Sequence, residues 1–267
     1  MIAARRARAA GRGPLPSAGP VFERNLRAYR RMWGAFLSGF AEPFLYLLSV
    51  GLGVGALVGT VAGPGGDRVP YEQFVAPGLL AAAAMNGAVF DTTFNFFFKF
   101  KYAKTFDAML ATPLGPREVA IGELLWAQAR GALYAAAFLV AMAALGLVPS
   151  GWAVLCLPAA WLIGFGFAGA GMAATTWMRS FVDFDWVTIV LLPLFLFSAT
   201  FFPIDRYPDP VGWLVRAGPL YQGVALCRGL AFGELGWSLA GHAAYLAVMG
   251  VAGVAVARAR LARLLLP

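Results

Sequence analysis

The sequence predicts an all-α polytopic membrane protein with six transmembrane helices, an N-terminal interfacial amphipathic helix and outer re-entrant helices before the sixth span. Three observations predict it. Sixty per cent of the 267 residues are apolar, and the mean hydropathy is +0.72. Several runs of about twenty residues carry no charge, the length that crosses a hydrocarbon core of about 30 Å. The basic residues fall on alternate polar segments: with both termini inside, sixteen Lys and Arg lie on inner segments and four on outer ones, the bias of cytoplasmic loops. A transmembrane barrel would show short alternating segments instead. The net charge of +8 is therefore read as topology and contact with lipid headgroups, not nucleic-acid binding.

Residues 1–20, rich in Arg, Ala, Gly and Pro, predict a disordered basic cytoplasmic tail with no signal-peptide layout. Residues 21–34 predict a basic amphipathic helix in the membrane interface. Val21, Phe22, Leu26, Tyr29, Met32 and Trp33 group on one side, with Arg24, Arg27, Arg30 and Arg31 on the other. A single transmembrane domain, 21–267, then holds spans at about 35–62, 74–98, 119–147, 152–177, 186–202 and 235–257. The first contains Glu42-Pro43, a costly carboxylate near the cytoplasmic end, and Gly51, Gly53 and Gly55, read as helix-contact positions. Asp91 lies in the second span, Glu123 and Arg130 in the third. At 1.5 Å per residue, Asp91 and Glu123 reach similar depths and Arg130 lies roughly 10 Å deeper than Glu123. Arg130 is therefore expected to pair with one of these acids. Gly164, Gly166, Gly169 and Gly171 permit close packing of the fourth span. Phe94, Phe96, Phe97 and Phe98 either pack or line a greasy route. Between Pro203 and Glu234, prolines interrupt two apolar pieces, near Val211–Val215 and Leu220–Leu230, which are too short to span and read as helices dipping into the outer interface.

The longest polar interruption, Lys99–Glu123, holds all three lysines, Lys99, Lys101 and Lys104, and then Arg117. Phe106, Met109 and Leu110 recur at i, i+3 and i+4, which predicts a short amphipathic helix over Thr105–Ala111. Thr112-Pro113-Leu114-Gly115-Pro116 stops it. Pattern alone leaves two readings, a solvated hairpin loop or a docking surface for a cytoplasmic partner. Catalytic chemistry finds little footing. His242 is the one histidine, Cys156 and Cys227 have no metal-type spacing, and Asp183 with Asp185 forms an acidic pair without a DxxD partner. A stand-alone channel would carry polar stripes in several spans. No GxxxxGK[ST] loop is present, so ATP cannot be bound in that way.

Specific strings then carry a resemblance. They are Glu42-Pro43-Phe44-Leu45-Tyr46-Leu47, Pro70-Tyr71, Ala76-Pro77-Gly78-Leu79, Lys104 through Leu114, and Gly122-Glu123-Leu124-Leu125-Trp126. Nearer the C-terminus come Phe197-Ser198, Phe201 through Arg206, Pro219-Leu220-Tyr221 and Arg228-Gly229-Leu230. From about residue 21 onward the chain resembles the membrane subunit of a type-2 ABC exporter, most of all the nodulation-type lipo-oligosaccharide exporter permeases and related antibiotic exporters. It departs where the outer motif often has His and an acid, at Gln222 and Ala225. The resemblance implies a non-enzymatic half-transporter in the cytoplasmic (inner) membrane of a prokaryote. A second permease copy would complete a homodimer, and two separate ATP-binding cassette ATPase subunits would carry the ATP and Mg, with no cofactor on this chain. It also implies that Tyr102, Lys104, Thr105, Phe106, Asp107, Leu110, Thr112 and Pro113 seat in the ATPase, with the 21–34 helix beside them. Phe202, Pro203, Asp205, Pro219, Tyr221 and Arg228 would gate the exit for an amphiphilic cargo.

Overall fold

The computed structural model describes residues 14–30, 44–103, 105–111, 114 and 116–265. Glu42, Arg31, Lys104, Thr112 and Pro113, with most of the 1–20 tail and the start of the first span, lie outside the described residues. The side chains of Arg30, Phe106, Asp107 and Leu110 also lie outside them.

Helix α1, Pro14–Arg30, begins seven residues before the predicted start. Pro14 and Pro16 fall in the first helical turn, where a missing N–H has no acceptor to lose, whereas Pro20 lies inside the helix and removes one donor. Val21 and Asn25 are its buried positions, and Leu26 is 45% exposed. The face that packs thus differs from the expected apolar face by including Asn25 and leaving out Leu26. Next come helical residues 44–48, a π segment Ser49–Val54 and the short α2, Gly55–Val58. The helix ends at Gly59, whose φ of 71° suits glycine, four residues short of the expected end. Thr60–Ala62 and Arg68–Pro70 then form an antiparallel hairpin, β1 and β2, with Val61 opposite Val69. An extended pair here corrects the purely helical expectation. Among the three glycines of the first span, Gly55 backs onto the Glu72 carboxylate while Gly53 faces open space.

The central helix α3, Tyr71–Phe90, continues through two π segments, Asp91–Asn95 and Phe98–Tyr102. It is buried on nearly every side because the small residues of its Ala81–Ala84 stretch let neighbours close in. Then follow α4, Thr105–Leu110, and the long α5, Pro116–Ala144. A 3₁₀ turn, Gly151–Leu155, leads into α6, Cys156–Thr175. Helix α7, Phe184–Leu196, stops six residues before the predicted end of the fifth span. Pro193 removes a donor in its last turn, and Ala199 at φ 56° turns the chain away. The paired helices α8, Asp209–Ala217, and α9, Pro219–Phe232, meet at Gly218, and α10, Trp237–Leu265, closes the chain. Cys227 lies in α9, inside the Leu220–Leu230 piece read as a short helix, and its carbonyl accepts the Cys156 thiol at 3.3 Å.

Four helical stretches among the described residues are long and apolar enough to cross a membrane: Tyr71–Tyr102, Glu118–Ala144, Gly151–Thr175 and Trp237–Leu264. The main core joins α3, α5, α6 and α9, and α10 rests on α6. A second, smaller core at the other end gathers Val21 (α1), Phe96 (α3), Met109 (α4), Val119 and Ala120 (α5), Met172 (α6), and Ala257 and Leu261 (α10).

Candidate functional site

Two ion pairs bridge α3 and α5. Asp91 pairs with Arg130, and Lys99 Nζ lies 2.5 Å from Glu123 Oε2. The helices run antiparallel, so residues eight apart on α3 meet residues seven apart on α5. All four side chains are at most 17% exposed. In such surroundings a charge is tolerable only when paired and hydrogen-bonded. Asn95 donates to Asp91 Oδ1 at 2.6 Å. From α1, Asn25 donates to Glu123 Oε1 and accepts from Lys99 Nζ, both at 3.1 Å. The lower pair thus ties α1 to the bundle.

The second core adds an apolar weld at the same end, where Met109 of α4 and Val21 of α1 share neighbours. Rings extend it sideways. Tyr102 stacks on Phe181 at 4.8 Å, Phe97 meets Phe181 and Phe184 at 5.7 and 5.3 Å, and Phe94 meets Phe184 at 5.4 Å. Phe96 and Phe97 are buried, whereas Phe94 and Phe98 are exposed on their outer faces.

At the opposite end Arg228, from α9, is buried without a carboxylate partner among the described residues. Its Nε donates to the Phe74 carbonyl at 3.2 Å. Its Nη2 donates to the carbonyls of Ala199 and Thr200 at 2.9 and 3.2 Å. The guanidinium lies 3.7 Å from the centre of the Phe74 ring. One planar cation therefore fastens the turn after α7 to the top of α3. Phe202 and Asp205 are exposed nearby, and Pro203, Pro219 and Tyr221 are half-buried. Gln222 hydrogen-bonds His242, whose ring packs edge-on against Tyr221 at 6.2 Å.

A groove of about 760 Å³ runs between α6 and α7. Its wall is apolar, and its mouth, between the end of α6 and the start of α7, holds Trp177, Arg179, Asp183 and Trp186. Asp183 Oδ2 accepts the backbone N–H groups of Arg179 and Ser180 at 2.6 and 3.1 Å. These bonds hold its carboxyl below the usual carboxylate range. Its structural use in the turn takes it out of any acidic pair with Asp185.

Over residues 20–232 the sequence matches the family described as ABC-2 type transporter. The chain belongs to this family. Three relatives, each named Nodulation protein J, are similar to it. The protein of Rhizobium leguminosarum bv. trifolii is 34% identical over 216 residues, 80% of each chain. That of R. leguminosarum bv. viciae is 31% identical over 232 residues, 84% of this chain and 87% of its own. That of Bradyrhizobium diazoefficiens is 31% identical over 250 residues, 91% and 93%. An ABC-2 permease subunit is a multi-pass membrane protein of transport rather than a catalyst, and the family generally works with an ATPase subunit.

In this ABC-2 permease, Tyr102 and Thr105 flank the start of α4, with Phe106, Asp107 and Leu110 inside that helix. Arg24 is half-buried, while Arg27 is exposed and pairs with Glu23. Asp91, Glu123 and Arg130 come together, with Lys99 and Asn25 added. Sequence reasoning used Lys99 as a topology marker and gave Asn25 no role. The signal for Asn25 was its place four residues after Val21, on the same face of α1. Arg228 and Pro203 are held near one turn, but Arg228 works as an internal clamp. Arg228→Lys would keep the charge and lose the planar fork, so stability should fall by about 1–2 kcal/mol. Thermal unfolding in detergent measures this, and an unchanged midpoint would mean that the three carbonyl bonds add nothing.

Proposed function

We propose that this chain is the permease half of an ATP-driven exporter that moves an amphiphilic or lipid-linked substrate, lipo-oligosaccharide, glycolipid or hydrophobic drug, across the cytoplasmic membrane. It works as a six-span protomer with both termini inside, as one of two identical copies, driven by two ATPase subunits that hold ATP and Mg. The observation that carries this reading is the shared inner core. Met109 of α4 belongs to one apolar cluster with residues of α1, α3, α5, α6 and α10, so a push on α4 is passed through that cluster to all of them. Closure of the ATPase dimer around ATP would apply that push and shift the bundle between inward-open and outward-open populations. The intramembrane charges of α3 and α5 are paired with one another, which leaves an apolar route suited to an amphiphile.

Gentle purification from native membranes, with mass spectrometry of what stays bound, tests the partnership. A stoichiometric ATPase subunit is expected; the chain alone in several detergents and in nanodiscs would remove the reading. Coupling is tested by Asp107→Arg and Leu110→Glu. Each should weaken ATPase binding about tenfold or more, equivalent to ~1.4 kcal/mol, and abolish transport while the permease still accumulates in the membrane. Normal ATPase binding by both variants would sink the assignment of α4.

A further inference from the structure

The groove between α6 and α7 has a feature that coupling does not use. Its long wall is apolar: Ala170 and Ala174 on α6, Val190, Leu191 and Leu194 on α7, with Val89 of α3 behind. Its mouth carries one group of each charge. The Arg179 guanidinium makes no hydrogen bond or close ion pair among the described residues, though Asp183 lies near enough to feel its charge. Asp183 uses only Oδ2 for the two backbone N–H groups, so Oδ1 stands without a hydrogen bond among the described residues. Trp177 and Trp186 flank the mouth, as amphipathic rings do at headgroup depth. Trp177 is fixed there. The Arg260 guanidinium lies 3.9 Å from the centre of its ring and is itself tied to Thr176 Oγ1 at 2.9 Å.

We propose that this groove is a binding site for a resident bilayer phospholipid with a phosphate and a primary ammonium in its headgroup. The phosphate takes the Arg179 guanidinium, which offers a planar fork to phosphate oxygens. The ammonium donates to Asp183 Oδ1, and one acyl chain runs along α7 toward Leu194. The volume is that of a site that encloses a small amphiphile. A headgroup with phosphate alone would place its charge beside an unanswered carboxylate. A quaternary ammonium could not donate. The site thus selects headgroup chemistry as well as a chain. It does not depend on the cargo reading. The proposed orientation enters only in assigning the lipid to the inner leaflet.

The unmodified protein provides the first test. It is reconstituted in nanodiscs of phosphatidylethanolamine, phosphatidylcholine and phosphatidylglycerol in equal parts, and retained lipid is counted by native mass spectrometry. Phosphatidylethanolamine should be retained over the other two by roughly five-fold, the ratio that one partly exposed charge pair supports. Asp183→Asn, which keeps one oxygen for the two backbone N–H groups but loses the carboxylate charge, should erase the preference, and Arg179→Ala should lower retention of all three lipids; Arg263→Ala, an exposed cation at the end of α10, should leave both intact. Equal retention of the three lipids in the unmodified protein overturns the proposal. So does an undiminished preference in Asp183→Asn, undiminished retention in Arg179→Ala, or preferential retention of phosphatidylglycerol. Efficient cross-linking of Val190→Cys to a second copy in the same nanodiscs also overturns it, by assigning the groove to a protein interface.

Discussion

Arg130→Gln will destabilise the protein by about 3–5 kcal/mol, the cost of leaving one member of a buried ion pair alone. Asp91 would remain 8% exposed with Asn95 as its side-chain donor among the described residues, and hydration cannot replace the guanidinium at that depth. Asp91→Asn combined with Arg130→Gln should recover most of the loss, because two neutral amides can bond each other where a lone charge cannot be answered. Thermal unfolding in detergent and the fraction inserted into membranes measure both variants. If the single and double variants unfold alike, the pair is not the source of the stability. If Arg130→Gln leaves folding and transport untouched, neither a structural nor a transport role for Arg130 survives.

Valine at Gly169 will force α6 from α10. A Cβ there would lie 2.5 Å from the Gly250 carbonyl oxygen, and a Cβ at Gly253 would land on the Gly169 backbone. Backbone atoms cannot give way as a side-chain tip can, so the helices must separate. The expected loss is about 3 kcal/mol, the upper end of ordinary overpacking. Gly241→Ala on α10 is the matched control, since its Cβ meets nothing within 4 Å. It should leave unfolding unchanged or raise the midpoint slightly. An equal response of the two variants would mean that α6 and α10 are farther apart than described.

The glycines show how much of the architecture was legible. Gly166 and Gly169 announce close packing through their spacing alone, but the partner is α10, more than seventy residues away, and nothing local names it. The same holds for charge. Depth along two helices brings Asp91, Glu123 and Arg130 into one zone, and Asp91 is where Arg130 goes. That Lys99 answers Glu123, and that Asn25 joins them, depends on α1 docking against α5, a contact between residues 98 apart. The short helices near Val211–Val215 and Leu220–Leu230 were readable because prolines bound them. The early end of α7 was not. Ala199 at positive φ has no signature in sequence, since the Arg228 clamp that holds its carbonyl comes from 29 residues later. Within α4 the 3.6-residue pattern identified Met109 as a packing residue, while the apolar cluster it joins draws on five other elements.

The two π segments of α3 have a mechanical consequence. A π turn carries its bond to the fifth residue rather than the fourth, so the helix holds a surplus residue wherever one occurs. Expelling one surplus residue and returning to α geometry would turn everything beyond it by about 100°, the angle of one residue at 3.6 per turn. Lys99 would swing off Glu123 and Asn25, and Tyr102 off Phe181. The Lys99–Glu123 bridge therefore also fixes the rotational register of α3 beyond its first π segment.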